Sequence, residues 1–217
     1  MEVLSLNAIN ISSPIPMNIS SSSLRYLDLD STNLQGVITE SFFLVPELEN
    51  VKLAANNLLK GVLPKIHPSN NTLLELDISN TGISGCQFSG SIPDSIGNLT
   101  QIRYLGFSDN HFTGHIPSTI SQLKHLTYLG LSSNSLSGEI PDIFSNLQEL
   151  SFLDLSHNSF IGSFPSTIVS LTLLQELHLS SNSLSGPLPN NFSMLQKLTE
   201  LGLWNNSLNG IIPSSLF

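Results

Sequence analysis

The chain has 217 residues, of which only 11% are charged, and its 16 acidic residues against 7 basic ones give a formal net charge of −9. Nucleic-acid binding needs a basic face, so this balance argues against nucleic acid as a partner, and also against an anionic membrane surface. A single cysteine excludes an internal disulfide, and no run of ~20 apolar residues predicts a direct membrane span.

A repeating pattern starts close to the N-terminus and continues through the chain. Its most regular copy is LTYLGLSSNSLSGEIP, which covers Leu126 to Pro141. The second leucine of the pattern, or valine once, recurs along the chain at Leu4, Leu27, Val51, Leu76, Leu105, Leu129, Leu153, Leu177 and Leu201. From Leu105 onward the step is 24 residues each time. A fixed step in the twenties with L-x-x-L-x-L-x-x-N predicts a leucine-rich-repeat solenoid.

Each position of the pattern has a physical reason. Two leucines spaced two apart, such as Leu129 and Leu131, lie on one face of a strand and point into the core. The asparagine that follows, Asn134 in this copy, can both donate and accept, so we expect it to satisfy backbone groups of its own repeat and the next. Glycine permits the tight backbone after it, and the proline starts a return segment with a short helical turn.

The register of the repeats breaks once. The step from Leu76 to Leu105 is 29 residues, five too long, and TGISG is followed by CQFSG, the same pattern twice. Either a five-residue loop or the loss of 19 residues from two full repeats explains the step, and the doubled pattern favours the second. We expect residues 1–217 to form a single leucine-rich-repeat domain of about nine repeats, with an irregular seam at 81–90 and both ends uncapped.

The L-x-G-x-I-P form of the repeat resembles the plant-type leucine-rich repeats of cell-surface receptors, and its Ser- and Asn-rich copies look most like plant receptor-like proteins and receptor-like kinases. The resemblance covers essentially the whole chain. It implies an α/β repeat solenoid, a curved right-handed coil with a parallel β-sheet on the concave face and short helical turns on the convex face. The family usually has cysteine-paired caps, which this sequence lacks, so the chain looks like an excerpt of a longer ectodomain.

The same resemblance implies a function. We expect a non-catalytic recognition module without cofactors, at the extracellular face of the plasma membrane, that binds a peptide or protein ligand or a co-receptor kinase in defence or developmental signalling. The N-terminus does not read as a secretory signal, and no kinase motif is present. Two alternatives remain: a secreted inhibitor of microbial cell-wall-degrading enzymes, and a truncated product without a function of its own.

Outward slots of consecutive strands form columns on the concave sheet, because identical positions lie on neighbouring strands ~4.8 Å apart. The candidate ligand-binding residues in these columns are Tyr104, Tyr128, Phe152, Asp154, His178 and Trp204. The first three form an exposed aromatic run, a favoured kind of contact anchor, and Gly106 and Gly130 beside it are expected to leave room for a partner. The alternative is that the rings only stack across strands and stabilise the sheet.

The sequence gives less support to other functions of the outward residues. Acidic Asp28, Asp30, Glu75 and Asp77 suggest a basic partner, although a merely solvated face also accounts for them. Asp154 and His178, with serines nearby, imitate a Ser-His-Asp set, but solvent-facing repeat slots provide no pocket or oxyanion hole, so we predict no enzyme activity. The histidines show no metal-ligand spacing. Candidate glycosylation sites of the form N-x-S/T are Asn10, Asn18, Asn70, Asn98, Asn191 and Asn205.

Overall fold

Short parallel strands recur along the solenoid in a computed structural model of the protein, whose described residues are 1–14, 23–38, 43, 45–68, 72–81 and 88–216. Two strands follow one another in most coils, and each pairs with its counterpart in the neighbouring coils. The chain therefore builds two parallel sheets rather than the single sheet that the repeat pattern predicts.

The first sheet consists of the L-x-L segments and is called the concave sheet below. Its strands pair in the order β1-β2-β4-β6-β8-β10-β12-β14-β16. Their bounds are β1 Val3–Ser5, β2 Tyr26–Asp28, β4 Asn50–Lys52, β6 Glu75–Asp77, β8 Tyr104–Gly106, β10 Tyr128–Gly130, β12 Phe152–Asp154, β14 Glu176–His178 and β16 Glu200–Gly202. Identical repeat positions are register partners throughout, as in Tyr128 with Phe152, so the predicted columns exist.

The second sheet follows the asparagine turns. Its described strands are β3 Gln35–Ile38, β5 Leu58–Val62, β7 Phe88–Ser91, β9 His111–Gly114, β11 Ser135–Glu139, β13 Ser159–Ser163, β15 Ser183–Pro187 and β17 Ser207–Asn209. A single large apolar side chain per strand points inward, for example Leu136, Phe160 and Leu184, each fully buried. The following glycine takes a left-handed conformation, as at Gly138 with φ +82, which lets the strand bend toward the return segment.

Short helical turns close the coils on the convex side, as predicted. These 3-10 helices span Asp94–Asn98, Ser118–Gln122, Phe144–Asn146, Ser166–Ser170, Phe192–Met194 and Ser214–Leu216. Three of them start directly after a proline in extended conformation, at Pro93, Pro117 and Pro165. The proline fixes φ near the value a helix start needs and has no N–H to leave unpaired.

The core runs along the solenoid between the sheets and the helical turns. The predicted core leucines Leu129, Leu131, Leu153, Leu155, Leu177 and Leu179 are each at most 1% exposed. Phenylalanines Phe88, Phe107, Phe112, Phe144 and Phe160 fill the same core. Burial of one apolar set per coil, stacked on the next, is what holds a repeat architecture together.

Asparagines form a ladder beside the core. The sequence pattern predicts that each one bonds its own coil and the next, whereas the structure shows bonds to its own coil and the preceding one. The Asn158 Nδ2 donates to the carbonyl oxygens of Leu131 at 2.9 Å and of Leu155 at 3.3 Å. Its Oδ1 accepts from the Leu136 N–H at 3.0 Å. Leu131 and Leu136 belong to the preceding coil, so each side chain ties two coils together through backbone groups that the turn leaves unpaired.

At the seam the concave sheet continues without a gap. Leu76 of β6 pairs directly with Leu105 of β8, as predicted. On either side of the seam, the Thr81 hydroxyl and the Phe88 N–H both donate to Asn110 Oδ1, at 2.6 and 3.2 Å. Residues 82–87 lie outside the described residues, so the seam at 81–90 stays a prediction.

Candidate functional site

Three aromatic rings stack across neighbouring strands of the concave sheet. The ring centroids of Tyr104 and Tyr128 are 4.1 Å apart with planes 9° from parallel. Those of Tyr128 and Phe152 are 4.3 Å apart and 4° from parallel. All three residues are half-buried, so the stack, called the aromatic stack below, presents ring edges to solvent and is less exposed than predicted. The rings support one another and still offer an apolar surface.

The glycines beside the aromatic stack are needed by this chain itself. A Cβ on Gly130 would lie 3.0 Å from Tyr128 Cε1, and one on Gly106 would lie 2.6 Å from Asp77 Oδ1. The expectation that these glycines leave room for a partner is wrong, because neighbouring side chains already occupy the space. Because these glycines have no side chain, the Tyr128 ring can lean over Gly130 and the Asp77 carboxylate can lie next to Gly106.

The hydroxyl of Tyr104 contacts the acidic part of the concave sheet. The Tyr104 Oη donates to Asp77 Oδ2 at 3.4 Å. Burial raises the pKa of both Tyr104 and Tyr128 above the ordinary tyrosine value. Both rings are therefore neutral hydrogen-bonding groups at physiological pH.

A cluster of Glu176, His178 and Glu200 lies beyond Phe152. The His178 Nε2 is 3.4 Å from Glu176 Oε2, and its Nδ1 is 3.9 Å from Glu200 Oε1. One ligand atom from each residue lies within 4.8 Å of the others, but the two carboxylates contact opposite nitrogens of the ring. A metal ion binds one of these nitrogens, so this geometry suits a histidine held between two carboxylates better than a metal centre.

The Ser-His-Asp imitation does not assemble. Asp154 and His178 are register partners on β12 and β14, but within the described part of the chain the hydrogen bond of His178 goes to Glu176. The Asp154 Oδ1 accepts from the N–H of Ser156 at 2.9 Å. The sequence pattern did not single out the two glutamates, although they occupy the same repeat position as Phe152 on their own strands.

Trp204 lies apart from the aromatic stack. It lies just after β16 and is 62% exposed, and its ring meets that of His157 edge to face at a centroid distance of 5.6 Å. The structure thus brings together Tyr104, Tyr128, Phe152, Asp154 and His178 on adjacent strands. It places Trp204 at the end of the sheet.

The acidic residues near the N-terminal strands differ in accessibility. Asp28 is buried and accepts from the Asp30 N–H at 3.2 Å, so it is not presented to a partner. Asp30 accepts from the Ala54 N–H at 2.7 Å, and burial raises the pKa of Asp30 to about 6. Lys52 pairs with Glu75 at 2.9 Å, which partly neutralises this region.

Four of the six candidate glycosylation asparagines can be placed, while Asn18 and Asn70 lie outside the described residues. Asn10, Asn191 and Asn205 are exposed. The Asn98 Nδ2 is half-buried and donates to the Ile66 carbonyl at 2.8 Å, a contact that a glycan on that nitrogen has to disturb. Accessibility therefore favours the three exposed asparagines.

Two parallel sheets, a leucine core and an asparagine ladder define a leucine-rich-repeat solenoid, and comparison with known families agrees. The family described as leucine-rich repeat region matches residues 76–208, more than half of the chain, and a leucine-rich-repeat family matches residues 23–44. The chain belongs to the leucine-rich-repeat family.

Two curated relatives are plant receptor-like proteins. Receptor-like protein 6 of Arabidopsis thaliana is 43% identical over 103 residues, which is 47% of this chain and 10% of that protein. Receptor-like protein 54 of the same plant is 34% identical over 97 residues, 45% of this chain and 11% of its own length. The chain thus spans about a tenth of the curated relatives that it matches.

Solved structures extend the similarity over almost the whole fold. The ectodomain of the Arabidopsis receptor kinase HAESA, in complex with an IDA peptide hormone ligand, superposes with a TM-score of 0.86 at 32% identity, covering 94% of this chain and 33% of HAESA. The plant peptide hormone receptor RGFR1, in complex with RGF2, gives 0.74 at 31% identity, covering 100% of this chain and 42% of RGFR1. Among the described residues, none of the helices is long and apolar enough to cross a membrane.

Proposed function

We propose that this chain is part of the ligand-recognition region of a plant cell-surface receptor, on the extracellular side of the plasma membrane, and that its concave sheet binds a peptide or protein ligand. The observation that carries the proposal is the aromatic stack on a sheet whose solved relatives include receptors captured with peptide hormones. Half-buried rings that keep an accessible edge are typical anchors of a binding surface.

The residues around the aromatic stack have distinct roles in this proposal. Tyr104, Tyr128 and Phe152 provide apolar contact, and Asp154 on β12 and His178 on the next strand provide polar contacts. Trp204 is a separate exposed ring near the far end of the sheet. A second receptor is a further candidate partner, since HAESA has also been solved with the co-receptor SERK1. No step of this proposal requires catalysis or a cofactor.

Capture of secreted peptides tests the proposal. The purified chain is immobilised, incubated with apoplastic plant peptides and with co-receptor ectodomains, and the bound species are identified by mass spectrometry. For each, the dissociation constant is then compared between wild type and Tyr128→Ala. We expect about thirtyfold weaker binding for the variant, the roughly 2 kcal/mol of a hot-spot residue.

The matched control is Tyr26→Ala, in the same outward column on β2 but three strands before the aromatic stack begins. It should bind as the wild type does. Tyr128→Ala also loses two ring contacts and about 1–3 kcal/mol of stability, so affinity is measured well below the melting temperature of every variant. Equal binding by Tyr128→Ala would move the site to the lateral or convex face, and no binding by wild type would refute the proposal.

A further inference from the structure

Accessible charge on the concave sheet is almost entirely negative and is divided into two groups. The outward positions are the first and third residues of each concave strand and the residue two positions after the strand ends. In the described strands they include one lysine, Lys52. They carry six carboxylates that reach solvent, on Asp30, Glu75, Asp77, Asp154, Glu176 and Glu200. None of the six lies on β8 or β10, which hold the two tyrosines of the aromatic stack. The two tyrosines therefore lie between two acidic flanks, the second of which begins with Asp154 on the strand of Phe152.

The carboxylates nearest to the aromatic stack, those of Asp77 and Asp154, are not paired with a cationic side chain of the described residues. Lys52 pairs with Glu75 at 2.9 Å. Asp77 Oδ1 and Asp154 Oδ1 each accept a backbone N–H, from Ser79 and Ser156, both at 2.9 Å. In the part of the chain that the structure describes, neither carboxylate has an ion pair within 4.0 Å. Each keeps free acceptor positions for a cationic group.

The separation of these two carboxylates matches an extended peptide. Asp77 on β6 and Asp154 on β12 occupy the same column, three strand steps apart, which is about 14 Å at ~4.8 Å per step. An extended chain rises ~3.3 Å per residue and points every second side chain to the same face. Residues i and i+4 of such a peptide are therefore ~13 Å apart, and residue i+2 lies midway, above Tyr104 and Tyr128.

Building on the proposed function, we propose that the ligand is an extended peptide with the pattern basic–x–apolar–x–basic, lying across the strands of the concave sheet. Its apolar side chain contacts the aromatic stack, one basic side chain pairs with Asp77, and the other pairs with Asp154 next to Glu176. Charge complementarity of this kind mainly sets specificity and the association rate. The stack supplies the apolar contact area.

Two synthetic peptides of equal composition test the spacing, and a third of opposite charge tests the sign of the charge. One fluorescein-labelled peptide contains Lys-Ser-Phe-Ser-Lys, a second contains Ser-Lys-Phe-Lys-Ser, and a third contains Glu-Ser-Phe-Ser-Glu, each flanked by Gly-Ser. Fluorescence anisotropy with the full chain at low ionic strength gives the dissociation constants. We expect the first peptide to bind at least about fivefold more tightly than the second, and the third not to bind.

Charge-neutral variants test the contacts. Asp77→Asn and Asp154→Asn should each weaken binding of the first peptide about fivefold. Asp94→Asn removes the same charge from an exposed residue of a convex 3-10 helix and should leave binding unchanged. Equal affinity for both lysine peptides, or equal losses in all three variants, would overturn the inference. If no synthetic peptide binds while a captured apoplastic peptide still depends on Tyr128, the inference fails and the proposed function stands.

Discussion

Each asparagine of the ladder makes a set of hydrogen bonds that a smaller polar residue can make only in part. Thr32 and Thr81 occupy the same repeat position and are fully buried. The Thr32 hydroxyl reaches the Leu29 carbonyl of its own coil at 2.8 Å. The Asn158 amide reaches Leu131 of the preceding coil as well, because an amide carries two donor hydrogens and a hydroxyl only one.

Replacing Asn158 by alanine and by threonine should therefore lower the free energy of unfolding by different amounts. Asn158→Ala leaves the Leu136 N–H and the Leu131 carbonyl without their side-chain partner, at about 1–3 kcal/mol for each unpaired group. Asn158→Thr should lose less, since it can keep the bond within its own coil. Urea unfolding measures both free energies. An alanine variant within about 0.5 kcal/mol of wild type would contradict the role given to the ladder.

Two carboxylates should give opposite pH dependences of stability. Burial raises the pKa of Asp30 to about 6, above its unfolded value. Its ionisation therefore opposes folding, and the stability contributed by this group falls as pH rises from the unfolded pKa to the folded one. Hydrogen bonds from the side chain and backbone of Thr167 lower the pKa of Asp142. Its contribution is therefore present at neutral pH and is lost as pH falls below the ordinary aspartate range.

Melting temperatures between pH 3.5 and 7.5 check this pair of signs. Asp30→Asn should be at least as stable as wild type at pH 7.5 and lose that relative advantage in acid. Asp142→Asn should be less stable at pH 7.5 and approach wild type near pH 3.5. Parallel curves for wild type and both variants would show that neither carboxylate is linked to folding.

At the scale of elements, the second sheet was not predictable from its own segments. Strands such as β11 and β15 consist largely of serine, glycine and one leucine, residues with little strand preference apart from the leucine. They pair because the concave sheet has already stacked the coils at strand spacing, which brings equivalent backbone segments side by side, as in the pairing of Ser137 with Ser159. The aromatic stack depends on the register of the concave sheet, in which identical repeat positions are partners.

Gly130→Ala tests how the aromatic stack is seated. A Cβ there lies 3.0 Å from Tyr128 Cε1, so the ring must move and the stacking with Tyr104 and Phe152 should be disturbed. We expect altered aromatic circular dichroism, weaker peptide binding and a loss of about 1 kcal/mol.

The matched control is Gly186→Ala, where a Cβ meets nothing within 4 Å but φ is +79. That variant should lose about 1–2 kcal/mol through backbone strain while leaving the aromatic signal unchanged. An unchanged aromatic spectrum in Gly130→Ala would show that the ring does not rest on the glycine.

At the scale of the molecule, stability is passed from coil to coil. Each strand of the concave sheet contacts only its neighbours, as in other repeat proteins. Leu129 and Leu153 in central strands are at most 1% exposed, whereas Leu4 and Leu201 in the outermost strands are only partly buried. The outer coils are held from one side.

Hydrogen exchange should reveal this gradient. Amides of β10 and β12 are expected to exchange slowest, and those of β1 and β16 fastest among the strands of the concave sheet, because opening an outer strand exposes less apolar surface. Mass spectrometry of peptic fragments after timed labelling measures the rates. Uniform protection across all nine strands would indicate one cooperative unit instead of a chain of coupled coils.

The sequence by itself determined the repeat architecture. The 24-residue step and the L-x-L spacing predict parallel strands, buried leucines, helical turns and the columns of outward residues, because these depend on local periodicity that every coil repeats. It also placed Tyr104, Tyr128 and Phe152 side by side, since register follows from the repeat alone.

Only the tertiary structure decided how those columns are used. It showed that the rings stack at about 4 Å and that Gly106 and Gly130 are covered by Asp77 and Tyr128. It also showed that His178 contacts Glu176 and Glu200. Side-chain directions, burial of polar groups and the second sheet depend on contacts between coils, which are set by packing across ~24 residues of sequence separation and not by local preference.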